Sequence, residues 1–151
     1  MSDLPLYPDA TAGADHELAR EYNVTLVGAP PALIVGNRGE FKERVKKELE
    51  RGPRGIVIDF SRTDYIDSSG LGVLFALGKE AKRLGVGYRL TGLNPDLRDL
   101  FALTKMDTVL RIAPTPRVAV LEASVCVPAG EMELPKSWSG DDESPPLRVE
   151  R

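Results

Sequence analysis

The segment Gly55-Ile56-Val57-Ile58-Asp59-Phe60 constrains the fold more than any other part of the chain. Its apolar residues follow one another instead of alternating, so a strand built from it has no face to give to water. Such a strand belongs in the middle of a sheet with helices on both sides, which predicts an α/β architecture. With 151 residues, the chain accommodates one domain with one core.

The flanking segments fit that architecture. Phe41, Val45 and Leu49 recur every four residues among charges, and Gly52-Pro53 follows, so residues 41–51 read as a surface helix. A second helix is expected over 68–84. Gly85-Val86-Gly87 then turns into a strand at 88–93. Asn94-Pro95 is an N-cap followed by proline and opens a helix with Leu97, Leu100 and Phe101 on one stripe. A short strand is expected at 109–112. Thr115-Pro116 repeats the cap signal ahead of 117–127, where helix and strand compete because the segment is valine-rich. Alternating strands and helices place the later strands parallel. Residues 24–27 and 32–35, joined by Gly28-Ala29-Pro30-Pro31, are read as an antiparallel hairpin, which would make the sheet mixed.

The ends differ from this middle. Residues 1–21 show neither a strand nor a helix period and are read as a flexible arm or one loosely attached strand, leaving 22–127 as the domain. Residues 128–151 contain four prolines, six acids and three bases with few aliphatics, and are read as an acidic, disordered tail. The net charge of −3 therefore resides entirely in that tail.

Composition excludes several classes. No block of Lys and Arg interleaved with aromatics occurs, which argues against a nucleic-acid partner. One cysteine, Cys126, and one histidine, His16, leave no spacing for a metal site, and no cofactor is implied. Cys126 reads as a small buried hydrophobe. The apolar runs are far shorter than the roughly 20 residues needed to cross a bilayer, so direct membrane insertion is not expected and the cytoplasm is.

The functional signal is Tyr65-Ile66-Asp67-Ser68-Ser69-Gly70-Leu71-Gly72-Val73-Leu74, directly after the central strand and opening a helix. Asp67 or Ser68 there caps orphan N–H groups, worth on the order of 1 kcal/mol. Enzyme readings of the stretch fail. A nucleophile elbow needs glycine two residues before its serine, where Ser69 has Asp67 and Ser68 has Ile66. A dinucleotide fingerprint would need glycine at Phe75, and no phosphate-loop Gly-Lys-Ser/Thr occurs.

The run Asp67-Ser68-Ser69-Gly70-Leu71-Gly72 closely resembles the signature of the STAS domain family, specifically the bacterial anti-sigma factor antagonists. The resemblance covers roughly residues 24–125. It implies a non-enzymatic binding module that engages an anti-sigma factor with serine kinase activity and so frees a sigma factor for transcription. It also implies that this kinase phosphorylates Ser68, with Ser69 as the neighbouring hydroxyl, and that a serine phosphatase restores the unmodified form. Asp67, Ser68, Ser69, Gly70, Leu71, Gly72 and Val73 would carry the partner contact. The phosphate would add about −1.5 to −2 charges close to Asp67, Asp59 and Asp64, altering binding without refolding.

Gly70 and Gly72 either admit a partner backbone or permit tight packing. Leu71, Leu74, Phe75, Gly78 and Ala81 form the expected buried stripe of the second helix, leaving Val73, Ala76 and Leu77 either as a candidate partner surface or as completion of the core. Family members usually carry a Gly-Glu-apolar-Asp turn after the second strand. Here Gly36-Asn37-Arg38-Gly39-Glu40-Phe41 stands in its place, putting Arg38 where an acid is usual. Arg38 either meets a differently charged partner, pairs with the carboxylates or a phosphate at the serine site, or is a solvated loop residue. The competing reading keeps the fold but makes the chain a STAS subunit of a lipid transporter or another signalling assembly, not controlled by serine phosphorylation. Trp138 is the one aromatic side chain in the acidic tail.

Overall fold

The computed structural model describes residues 13–125. Four strands form a parallel sheet in the order β1-β3-β5-β6: β1 (Val24–Gly28), β3 (Gly55–Asp59), β5 (Gly87–Thr91) and β6 (Ile112–Ala113). A separate parallel pair joins β2 (Ala32–Leu33) to β4 (Tyr65–Ile66). The helices are α1 (Gly13–Glu21), α2 (Arg38–Glu50), α3 (Ser68–Leu84), α4 (Pro95–Leu103) and α5 (Pro116–Ser124).

β3 is buried along its whole length. Ile56 and Ile58 enter a core shared with α2, α3 and α4. Val57, pointing the other way, enters a second core shared with α1 and α5, through Ala19, Ala119, Val120 and Ala123. The period of two in a strand thus divides one apolar run between two cores. Cross-connections hold the layers together. The Tyr88 hydroxyl on β5 donates to the Leu74 carbonyl of α3 at 2.9 Å, and burial pushes its pKa up, so it stays a donor. On the other face, Arg89 pairs with Glu122 at 3.1 Å and Arg54 donates to the Ser124 carbonyl at 2.9 Å, tying α5 to the sheet.

The α/β class and the parallel order of the central strands hold, and both predicted caps ahead of a proline form. Asn94 accepts from the Leu97 N–H at 2.8 Å and Thr115 from Val118 at 3.1 Å. The second cap settles the competition in favour of helix α5 as far as Ser124; residues 126 and 127 lie outside the described residues.

The N-terminal hairpin does not form. β1 pairs with β3 in parallel, Val24 opposite Gly55 through Gly28 opposite Asp59, while β2 leaves for β4. The cause lies in the connection. Pro30 and Pro31 have no N–H to give to a hairpin ladder and a φ fixed at about −65°. Their carbonyls accept from the Thr63 hydroxyl at 2.7 Å and the Asp64 N–H at 2.8 Å. Within the segment read as an arm, residues 13–21 form α1, which seats Ala19 on β1 and α5. Its apolar stripe is little more than Leu18 and Ala19, too narrow to show as a period. The strand expected at 109–112 begins at Ile112. A 3₁₀ turn over Met106–Thr108 precedes it and delivers Leu110 into the core. Cys126 and residues 128–151 lie outside the described residues.

A Cβ on Gly55 would stand 2.6 Å from the Ala123 Cβ and 2.7 Å from its carbonyl oxygen. Gly55→Ala is therefore expected to push α5 off the sheet and lower stability by about 1–3 kcal/mol. Urea unfolding checks this as a lower midpoint, with Gly36→Ala, which meets nothing within 4 Å, as the unaffected control.

Candidate functional site

The site is assembled where the small β2–β4 pair meets the first turn of α3. Asp67 is the residue that fixes it. Its backbone is extended, as an N-cap requires, and its Oδ1 accepts from the Gly70 N–H at 2.9 Å. Its Oδ2 accepts from the Val35 N–H at 3.1 Å, and its own N–H donates to the Leu33 carbonyl at 3.1 Å. One carboxylate thereby caps α3 and holds the loop that follows β2. Asn37 completes that loop, accepting from the Ile34 N–H at 3.0 Å and donating to the Ala32 carbonyl at 2.7 Å.

Ser68 follows as the first residue of α3 and is exposed; Ser69 is half-buried. Both lie in the turn whose N–H groups have no partner within the helix, at its positive end. The structure therefore brings Asp67, Ser68 and Ser69 together in one turn, with Gly72 exposed one turn further on.

The two glycines have different roles. A Cβ on Gly70 would lie 2.5 Å from the Leu33 carbonyl oxygen and 2.8 Å from the Ile66 Cγ2, so Gly70 permits close packing on the β2–β4 pair. A Cβ on Gly72 meets nothing within 4 Å. Its missing side chain leaves open surface one turn beyond Ser68.

The exposed face of α3 differs from expectation. Val73 and Leu77 are buried in the core with Gly70, Leu74, Gly78 and Ala81, whereas Leu71 and Phe75 are only partly buried. Ala76 is half-buried. Leu74, Gly78 and Ala81 are buried as expected, so the buried face is shifted by only part of one residue's rotation, toward Gly70, Val73 and Leu77. Gly70 decides the matter by its contact with Leu33, because the close approach is possible only where no side chain intervenes.

Asp59 is buried at the end of β3, with its Oδ1 accepting from the Ser61 N–H at 3.0 Å; Asp64 is exposed. Arg38 is exposed in the first turn of α2. Among the described residues no ion pair joins it to Asp67, both of whose oxygens accept backbone N–H groups. Sequence reasoning missed Val35, and placed Tyr65 in the signal run without naming it as a contact residue; they are 62% and 58% exposed beside this turn. The signal for Tyr65 was the alternation with buried Ile66; Val35 was hidden in the apolar run 32–35. Among the described residues no group of His, Cys, Asp and Glu could hold a metal ion, and no helix is long and apolar enough to cross a membrane.

Asp67→Ala removes the cap and the tether on Val35 together and is expected to cost about 1–2 kcal/mol, with Asp67→Asn losing less. Thermal unfolding checks the order. Gly70→Ala is expected to destabilise by about 1–3 kcal/mol, while Gly72→Ala stabilises α3 by roughly 0.5–1 kcal/mol. Equal effects from the two alanines, measured by urea unfolding, would contradict the packing assignment.

Comparison with known proteins agrees with this geometry. The STAS domain model matches residues 17–119. A Bordetella bronchiseptica protein named as the anti-sigma factor antagonist BtrV is 24% identical over 92 residues, covering 61% of this chain and 79% of that one. A Thermotoga maritima crystal structure described as an anti-sigma factor antagonist is 28% identical, with a TM-score of 0.61, covering 67% of this chain and 87% of the other. A sulfate transporter family protein from Wolinella succinogenes shares the fold at 17% identity and a TM-score of 0.58, covering 69% and 87%. With a parallel sheet between two helical layers and an Asp-capped serine turn at the head of α3, the chain belongs to the STAS domain family, among relatives named anti-sigma factor antagonists.

Proposed function

We propose that the protein is an anti-sigma factor antagonist, a cytoplasmic binding module without catalytic activity that works as a phosphorylation-controlled partner switch. One observation carries this reading: in a chain with such relatives, Ser68 is the exposed first residue of a helix whose start is already fixed by Asp67. Unmodified, the surface of Ser68, Ser69, Leu71 and Gly72, flanked by Val35, Tyr65 and Arg38, engages an anti-sigma factor with serine kinase activity. Asp67 and Gly70 set the shape of that surface from beneath. Val73, buried, supports it and makes no contact.

Phosphorylation of Ser68 places a dianion at the positive end of α3, which tolerates it, and beside the Asp67 carboxylate. The domain keeps its fold while a partner surface that accommodated a neutral hydroxyl now meets charge. A serine phosphatase reverses the change. Arg38, exposed in the first turn of α2, is a cation for a phosphate there.

Wild-type protein and Ser68→Asp, used as baits in lysate of the native host, test this reading. An aspartate at the first helical position favours the helix dipole, so the variant is expected to fold. The wild type is expected to retain an ATPase-type serine kinase at least about tenfold better, or about 1.4 kcal/mol, than the variant. That kinase with ATP is expected to modify wild type and Ser69→Ala but not Ser68→Ala, by mass spectrometry. Equal retention of the kinase by both baits would overturn the switch, and retention of a transporter or other signalling subunit by both would favour a phosphorylation-independent role.

A further inference from the structure

Away from the serine turn, the outer surfaces of α2 and α3 enclose a groove of about 360 Å³. Its cations are Lys42 and Lys46 from α2 and Lys79 and Arg83 from α3; the acid among them is Glu80. Arg83 holds Glu80 in an ion pair. Glu80 lies below the ordinary carboxylate pKa, first through the hydrogen bonds from Arg83 and then through the fields of Arg83, Lys46 and Lys42. Phe75 lines the groove as a partly buried ring with the Lys79 ammonium 5.8 Å from its centroid. The groove therefore offers excess positive charge and one aromatic surface.

The same chain carries the complement. Outside residues 128–151 its bases and acids balance, and within them six acids face three bases. The densest cluster is Asp141-Asp142-Glu143, three residues after Trp138, the chain's one tryptophan. Val125 ends α5 on the face of the sheet opposite the groove. The sixteen residues from there to Asp141 span up to about 50 Å when extended, enough to round a domain of this size. Tethering also raises the local concentration of the acids to the millimolar range, where weak exposed charge pairs suffice.

We propose that residues 138–143 of the tail dock intramolecularly in the α2–α3 groove, with Asp141, Asp142 and Glu143 meeting Lys42, Lys46 and Lys79 and Trp138 lying against Phe75. The occupied groove begins about two helical turns from Ser68, so the docked tail borders the serine turn without covering it.

Trp138 reports on the docking in the full-length chain. Wild-type emission is expected to be blue-shifted, with reduced acrylamide quenching, relative to the urea-unfolded chain. Lys42→Glu/Lys46→Glu/Lys79→Glu is expected to abolish both effects with unchanged far-UV circular dichroism, as is 1 M salt, where the Debye length is about 3 Å. Combining the groove variant with Asp141→Lys/Asp142→Lys/Glu143→Lys is expected to restore them. A wild-type Trp138 already as exposed as in urea would overturn the proposal and leave the groove to an acidic segment of another protein. Protection that survives the lysine reversals would place the tail elsewhere. Protection that vanishes on dilution would assign the groove to the tail of a second copy.

Discussion

A central strand without a solvent face dictates the layering of this domain. Ile56 and Ile58 require cover on one side of the sheet and Val57 on the other, and no part of β3 can be left at an edge. Parallel neighbours follow, since each strand must return through a helix that supplies that cover. α2, α3 and α4 bury large side chains such as Phe41, Leu74 and Phe101 against one face. The other face receives small ones, Ala19, Ala119 and Ala123, and Gly55 lets α5 approach to backbone contact. At about 25 cal/mol per Å² of apolar area removed from water, the larger core dominates the stability. The thinner layer contributes closeness of approach.

The parallel arrangement also creates the functional surface. β3 and β4 feed α3 at the carboxyl end of the sheet, where loops converge and helix starts are exposed. Because β2 is diverted by Pro30 and Pro31 to pair with β4, the loop after β2 arrives beside the head of α3, within reach of the Asp67 carboxylate. That carboxylate is satisfied twice by backbone N–H groups. A side chain so constrained fixes the position of Ser68 without itself being needed as a ligand.

Much of this was legible in the sequence for local reasons. The bounds of α3, the Asn94 and Thr115 caps and the central strand depend on neighbours within four residues, and the chain states them directly. The partner of β2 was not legible, because two apolar residues pair equally well with either candidate strand. Proline chemistry at 30 and 31 is the one local sign against a hairpin. α1 escaped notice because tertiary contact with β1 and α5, through a narrow stripe, holds it in place. The inward face of α3 was ambiguous for the opposite reason. From Gly70 to Gly78 nearly every residue is apolar or glycine, so two stripes satisfy the helical period equally.

What separates those two stripes is volume, and volume explains how one turn can be both rigid and accessible. With Gly70 inward, the helix axis approaches the β2–β4 pair closely enough for Ile66 and Leu33 to be sealed, 3% and 0% exposed. The same rotation carries Ser68 and Gly72 outward. Had the stripe beginning at Leu71 faced the core, a leucine would have held the helix away from Leu33 and loosened the Asp67 bridge. The glycine therefore acts on the serine indirectly: by allowing the close approach, it lets a single carboxylate span from α3 to Val35. A change of charge at Ser68 then falls on a preorganised surface, where its effect on a partner need not be absorbed by movement of the domain.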